Sequence, residues 1–226
     1  MAMDDHQSKV QRLYEACDAV FSSGNKAGLP TLTQIRWLQD LLGTDAADVG
    51  IDVGGGSERS SSSPPGRRFV SASAFTRITY VHIYERDDFS IGVFCFPAGA
   101  TLLLHDHPQM VVLSKLLYGS MRVKSYDWAN GPPCSGPRKS GLARVVAVDE
   151  VQEAPCKASV LFPRSGGNIH SLTAVTPCAL LDVLAPPYAE DLGRPSTYFS
   201  DIPIPSLPGT PYVGPELTVD VDIMYN

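Results

Sequence analysis

Gly99-Ala100-Thr101-Leu102-Leu103-Leu104-His105-Asp106-His107 is the stretch on which the fold turns, and Gly166-Gly167-Asn168-Ile169-His170 answers it further along the chain. His105 and His107 stand two residues apart, so on a β-strand over Thr101–His107 both imidazoles project from one face. Asp106, between them, faces the other way and reads as a surface or turn residue. His170, brought in on a neighbouring strand, completes a three-nitrogen set. Imidazole is the commonest neutral ligand of iron, zinc, copper and nickel, so the constellation points first to a metal centre.

The surrounding sequence is β in character. Residues 75–85, 89–96, 101–107, 111–117, 120–127, 143–151, 159–162, 169–174 and 179–184 are rich in β-branched and aromatic residues and separated by turn residues. Many short strands without intervening helices mean a sandwich or small barrel. Ahead of them, Val10, Leu13, Tyr14, Cys17, Val20 and Phe21 recur at helical spacing and predict an amphipathic helix over 8–22. A second helix follows Pro30, with Ile35, Leu38 and Leu42 on one stripe and Gly43 as its stop. The expected organisation is a helical hairpin in 1–50, a low-complexity linker in 51–68 around Gly54-Gly55-Gly56 and Ser60-Ser61-Ser62-Ser63-Pro64-Pro65, and a β domain in 69–226.

The chain has 226 residues, 19 glycines, 19 prolines and a formal net charge of −6, a balance that argues against a nucleic-acid surface. No apolar run is long enough for a membrane helix. The five cysteines (Cys17, Cys95, Cys134, Cys156 and Cys178) are scattered, which suits reduced thiols. The acidic start Met1-Ala2-Met3-Asp4-Asp5-His6 carries no signal or transit pattern, so cytoplasm and nucleus are the expected compartments. A monomer is the default expectation.

Gly99, five residues, His105-x-His107, then Gly119 resembles the first motif of the cupin family, and Pro163 to His170 partly resembles the second. Many cupins place a glutamate ligand a few residues after the His-x-His pair; here that position is Val112. Three neutral ligands leave a divalent ion its full charge, which favours an anionic soft ligand such as a thiolate. A substrate offering thiolate and amine would fill two open positions and leave one for dioxygen. Zinc in the same cage stays open on this reasoning. His82, in Tyr80-Val81-His82-Ile83-Tyr84, has no partner at ligand spacing and reads as a core or supporting histidine.

Longer runs sharpen the resemblance. His105-Asp106-His107-Pro108, Ser114 to Met121, Lys124-Ser125-Tyr126-Asp127-Trp128, Phe162 to His170 and Leu181-Asp182-Val183-Leu184-Ala185-Pro186-Pro187-Tyr188 are similar to the plant cysteine oxidases, within the 2-aminoethanethiol dioxygenase-like thiol dioxygenases. The resemblance implies a mainly β cupin fold, a double-stranded β-helix or jelly-roll barrel, with the N-terminal helical hairpin packed on it. It implies mononuclear Fe(II) on His105, His107 and His170. The implied reaction is dioxygenation of the N-terminal cysteine of Cys-initiating proteins to cysteine sulfinic acid, both oxygens coming from O2. Group VII ethylene response factors are among the family's substrates, and their oxidation feeds an N-degron oxygen-sensing pathway. Asp182 and Tyr188 fall where the family has active-site residues. Asp182 would bind the substrate ammonium or orient a histidine; Tyr188 would donate to bound oxygen or shape the entrance. Two departures stand out. Gln109 replaces a glycine and is expected beside the metal, and Ser196 replaces a cysteine in Ser196-Thr197-Tyr198, so Cys–Tyr chemistry is impossible there. The alternatives are a zinc or nickel cupin isomerase or hydrolase, a metal-free binding cupin, or a dioxygenase of small aminothiols.

Overall fold

Ser8 starts the first helix by accepting the Gln11 backbone N–H on its hydroxyl at 3.1 Å, so α1 runs from Lys9 to Cys17. The computed structural model describes residues 7–22, 29–52, 70–71, 75–129, 140–204 and 214–220. Helix α1 continues as one wider π turn over Asp18–Ser22, so the helix expected to Ser22 is regular only to Cys17. Thr31 and Gln34 form a capping box that opens α2, Leu32–Leu41. The apolar stripes expected from the sequence are buried: Leu13 and Cys17 on α1, Ile35 and Leu38 on α2, and Leu42 just beyond.

The strands are β1 (Ile51–Asp52), β2 (Val70–Ser71), β3 (Thr79–Glu85), β4 (Ser90–Phe96), β5 (Thr101–His105), β6 (Val111–Tyr118), β7 (Ser120–Trp128), β8 (Ser140–Glu153), β9 (Ser159–Leu161), β10 (Ile169–Ala174), β11 (Cys178–Ala185), β12 (Phe199–Pro203) and β13 (Pro215–Val219). β1 and β2 pair parallel; β1 takes up the first two residues of the expected linker 51–68, whose residues 53–68 lie outside the described ones. The rest form two antiparallel sheets, ordered β3-β4-β11-β6-β9 and β12-β13-β8-β7-β10-β5. They face each other as a jelly-roll barrel, the double-stranded β-helix expected. Phe96, Leu116 and Leu180 of the first sheet meet Met121, Leu172 and Ala174 of the second in one core.

β11 shows how both faces of a strand are used. Leu181 and Val183 point outward and pack against the helical hairpin with Leu13, Leu38, Ile91, Val93 and Leu113. Leu180, Asp182 and Leu184 point into the barrel. Every residue of β11 is buried, so it reads as a nearly unbroken apolar run interrupted by one carboxylate. Strands β12 and β13 were not expected from the sequence: prolines at their ends disguise them as loop, yet Phe199 and Leu217 cover Leu104 and Ile169 on the outer face of the second sheet.

Candidate metal centre

The centre begins with a bulge. His105 on β5 pairs with His170 on β10, but the next rung pairs Leu102 with Leu172, so β5 spends one residue more than β10 over the same span. A bulge re-aims side chains by breaking strict alternation. Here Leu102 and His105 both face the barrel interior, Leu103 is solvent-facing and Leu104 is buried in the outer core. The Leu103 carbonyl turns back to the His105 ring and accepts from Nδ1 at 2.7 Å.

The strand ends at His105, which corrects the expectation of one strand through His107. Asp106 leaves the sheet to form a reciprocal pair with Thr197: its N–H donates to the Thr197 carbonyl at 3.1 Å, and its carboxylate accepts the Thr197 N–H at 3.0 Å. These two bonds make the half-buried Asp106 an anchor rather than a free surface acid, and burial pushes its carboxyl up to about 6. His107 is positioned instead by Asn168. Its backbone N–H donates to Asn168 Oδ1 at 3.1 Å, Asn168 Nδ2 donates to the His107 carbonyl at 2.9 Å, and His107 Nδ1 reaches the Asn168 carbonyl at 3.2 Å. Asn168 and Gly167 are fixed in turn by Asp127, whose buried Oδ1 accepts both backbone N–H groups at 3.1 and 3.0 Å. Asn168 and Asp127 carry no assigned role in the sequence reading. Their signal was present as polar residues inside apolar strand ends, which only the pairing of distant segments explains.

His170 completes the set, with Nδ1 at 3.2 Å from the Gly167 carbonyl. All three Nδ1 atoms therefore meet backbone carbonyls, which fixes the tautomer and leaves each Nε2 lone pair for a ligand. The donor atoms of His105, His107 and His170 lie within 4.8 Å of one another, and ring centroids are 4.8 to 4.9 Å apart. Burial lowers the pKa of His105, carries that of His170 down to about 3, and with the neighbouring rings holds His107 well below its ordinary value. Three neutral, converging imidazoles fit a borderline divalent metal. Val112, where a carboxylate ligand would stand, is buried with Met110, Leu161 and Leu184.

A cavity of about 230 Å³ opens onto the histidines. Asp182 lines it, buried, with Oδ1 lacking a hydrogen-bond partner among the described residues; burial pushes its carboxyl up to about 7, opposed by a hydrogen bond from Ser114. Because every Nδ1 is taken by a backbone carbonyl, Asp182 orients none of the three rings through that atom. Tyr188 also lines the cavity, its ring centroid 5.6 Å from that of His107. Its hydroxyl donates to the Asp106 carbonyl at 2.7 Å and receives a hydrogen bond from Ser196. The departure at Ser196 thus sits at the tyrosine hydroxyl.

Two expectations need correction. Gln109 is exposed and absent from the cavity lining; its φ of 60° explains why a glycine suits the position, and its side chain leaves the site for solvent. His82 is neither core nor support: it is exposed, 3.5 Å from Glu85. The thiols of Cys17, Cys95 and Cys178 are free and buried, and burial raises them to about 12, 11 and 12. Cys134 lies outside the described residues.

The pattern that defines the PCO_ADO family matches residues 42–219. This chain belongs to the PCO_ADO family. Plant cysteine oxidase 1 of Arabidopsis thaliana is 42% identical over 204 residues, spanning 90% of this chain and 67% of that protein. The 2-aminoethanethiol dioxygenase of Homo sapiens is 36% identical over 143 residues, or 54% of this chain and 52% of its own. Among solved structures, an RmlC-like cupin from Desulfovibrio desulfuricans overlaps 58% of this chain and 99% of its own, at 22% identity and a TM-score of 0.34. The PCO_ADO match encloses all three histidines, Asp182 and Tyr188.

Proposed function

We propose that this chain is an iron(II)-dependent thiol dioxygenase that converts the N-terminal cysteine of a polypeptide to cysteine sulfinic acid, adding both atoms of one O2 to the sulfur. The observation that carries the reading is the meeting, in one cavity, of three neutral imidazoles and a buried carboxylate with a free oxygen. His105, His107 and His170 would hold the iron through Nε2. Iron(II) supplies there a doubly charged Lewis acid with open positions for a thiolate and for dioxygen.

The chain's own residues do the rest. Asp182 Oδ1 accepts the substrate's α-ammonium, and that positive charge compensates a carboxylate whose burial otherwise disfavours it. No lysine or arginine is among the described residues that line the cavity. The carboxylate of free cysteine would therefore be desolvated without a cation, whereas a peptide amide follows the α-carbon at no such cost. Tyr188 is a positioning residue: its proton is held on the Asp106 carbonyl, which keeps the segment carrying His107 in place. The same lack of a cation admits 2-aminoethanethiol, the compound in the human relative's name, as a second substrate class.

At the level of physiology, the reading is of an oxygen sensor in cytoplasm and nucleus, acting as a monomer on Cys-initiating proteins such as group VII ethylene response factors and feeding the N-degron pathway. Its support is the similarity to plant cysteine oxidase 1 over most of the chain.

The test is mass spectrometry of a peptide with a free N-terminal cysteine, incubated with iron(II)-loaded protein and labelled O2, beside the N-acetylated peptide, free cysteine and 2-aminoethanethiol. Two labelled oxygens on the free-amine peptide, with none on the N-acetylated peptide or free cysteine, support the full reading. Oxidation of 2-aminoethanethiol but not the peptide narrows it to small aminothiols. No oxygen gain with iron bound returns the chain to another metal-dependent cupin chemistry.

A further inference from the structure

Gly92 on β4 stands next to Asp182, a residue of the cavity face. Its rung pairs it with His82 of β3 on one side and with Asp182 of β11 on the other. Ser90 and Phe94, two residues to either side, line the cavity, so a side chain at position 92 would point inward too. That space is taken. A Cβ on Gly92 would overlap the phenol end of Tyr80, with the Tyr80 hydroxyl, Cζ and Cε2 as the atoms met. Tyr80 comes from β3, stacks on Phe94 with centroids 4.8 Å apart, and lies across the missing side chain.

Paired residues on one sheet face have their Cβ atoms roughly 5 Å apart. The Tyr80 hydroxyl, lying over Gly92, is therefore near the Asp182 side chain; burial first, then Glu85 and Asp182, raise the tyrosine's pKa. Asp182 Oδ1 has no hydrogen-bond partner among the described residues, so the Tyr80 hydroxyl does not donate to it. At the cavity wall the partnerless Asp182 Oδ1 and the partly exposed Tyr80 hydroxyl near it fit a ligand that donates to each. An ammonium group carries three donors.

We infer that Tyr80 is a substrate-positioning residue, its hydroxyl receiving the α-ammonium of the substrate beside Asp182 Oδ1, and that Gly92 is required because only a missing side chain lets the phenol lie there. The inference rests on the proposed amine-bearing thiol substrate. It adds a residue from the edge strand β3, which no metal motif covers, and it makes Gly92 a determinant of specificity by space rather than by backbone conformation. It also explains why Asp182 Oδ1 is buried without a partner among the described residues: the site is half of a two-oxygen seat awaiting a cation.

The experiment uses the iron-loaded full chain with a free-amine Cys peptide, comparing wild type, Tyr80→Phe and Gly92→Ala. Tyr80→Phe keeps the ring and removes the acceptor; Gly92→Ala evicts the phenol without touching Asp182. Each is expected to raise KM by about tenfold, the loss typical of one hydrogen bond to a charged group, with kcat reduced much less. Anaerobic calorimetry of the same peptide should show the same loss of affinity, with iron content and thermal melting unchanged for Tyr80→Phe. Unchanged KM and unchanged peptide affinity in Tyr80→Phe overturn the inference, whatever Gly92→Ala does. A wild type that treats free and acetylated peptides alike defeats the proposed substrate class instead, and that result is read from the wild type alone.

Discussion

Asn168 and His107, sixty-one residues apart in sequence, hold each other by three hydrogen bonds: two between the Asn168 amide and the His107 backbone, and one from the His107 ring to the Asn168 carbonyl. The arrangement makes Asn168 the connection between the two halves of the metal site. Asn168→Ala would leave the buried His107 N–H unpaired and its carbonyl with only the Met110 N–H at 3.4 Å, loosening the backbone that carries the ring. Metal affinity should fall by about 10- to 100-fold, the usual penalty for losing a supporting partner of a ligand. Iron titration of the metal-free variant measures it. Retained affinity would mean that the ring's own contacts suffice.

Asp182 makes the fold less stable as pH rises. Its folded pKa, about 7, lies above the roughly 3.9 of an unfolded aspartate. The native state therefore binds this proton more tightly, and the contribution to stability is greatest below pH 4 and lost progressively up to about pH 7. Over that window the loss is on the order of 4 kcal/mol by linkage, an upper value for the metal-free protein. The groups facing it are Tyr80 and Glu85 from β3, Ser114 from β6, Tyr188 and the three histidines. Metal-free Asp182→Asn should melt higher than wild type at pH 8 and equally near pH 4.

The same Asp182→Asn protein, loaded with iron, should turn over a free-amine Cys peptide at least about tenfold more slowly, since a charged partner of the ammonium is lost. Iron content should not change, because Asp182 bonds none of the histidine Nδ1 atoms. A parallel fall in iron content and activity would assign the residue to metal support instead.

Tyr188→Phe tests positioning against direct chemistry. It removes the hydrogen bond to the Asp106 carbonyl, worth about 1 kcal/mol. Metal affinity is expected to drop about fivefold, with turnover at saturating iron close to normal. Lost turnover with intact metal affinity would mean that the phenol acts on substrate.

Gln109 has a left-handed backbone at φ 60° and an exposed side chain. Gln109→Gly should leave KM and kcat unchanged and stabilise the protein by up to about 1 kcal/mol in a denaturant melt. A changed KM would bring the side chain back to the site.

By itself the sequence determined the β class, the helical hairpin and three candidate metal-binding histidines, because each is read from local patterns. Strand alternation, helical periodicity and the spacing of His105, His107 and His170 need no knowledge of distant partners. The tertiary structure alone decided how the three histidines are aimed. The bulge before His105 breaks the alternation that the sequence suggests, and the end of the strand hands His107 to Asn168. It also decided what Asp182 faces, since Gly92 and Tyr80 come to it across two neighbouring strands. Gln109 and His82 misled for the same reason: proximity in sequence to a motif does not say which way a side chain leaves the backbone. Register and backbone torsion set that direction, and they are fixed only when sheets close on one another.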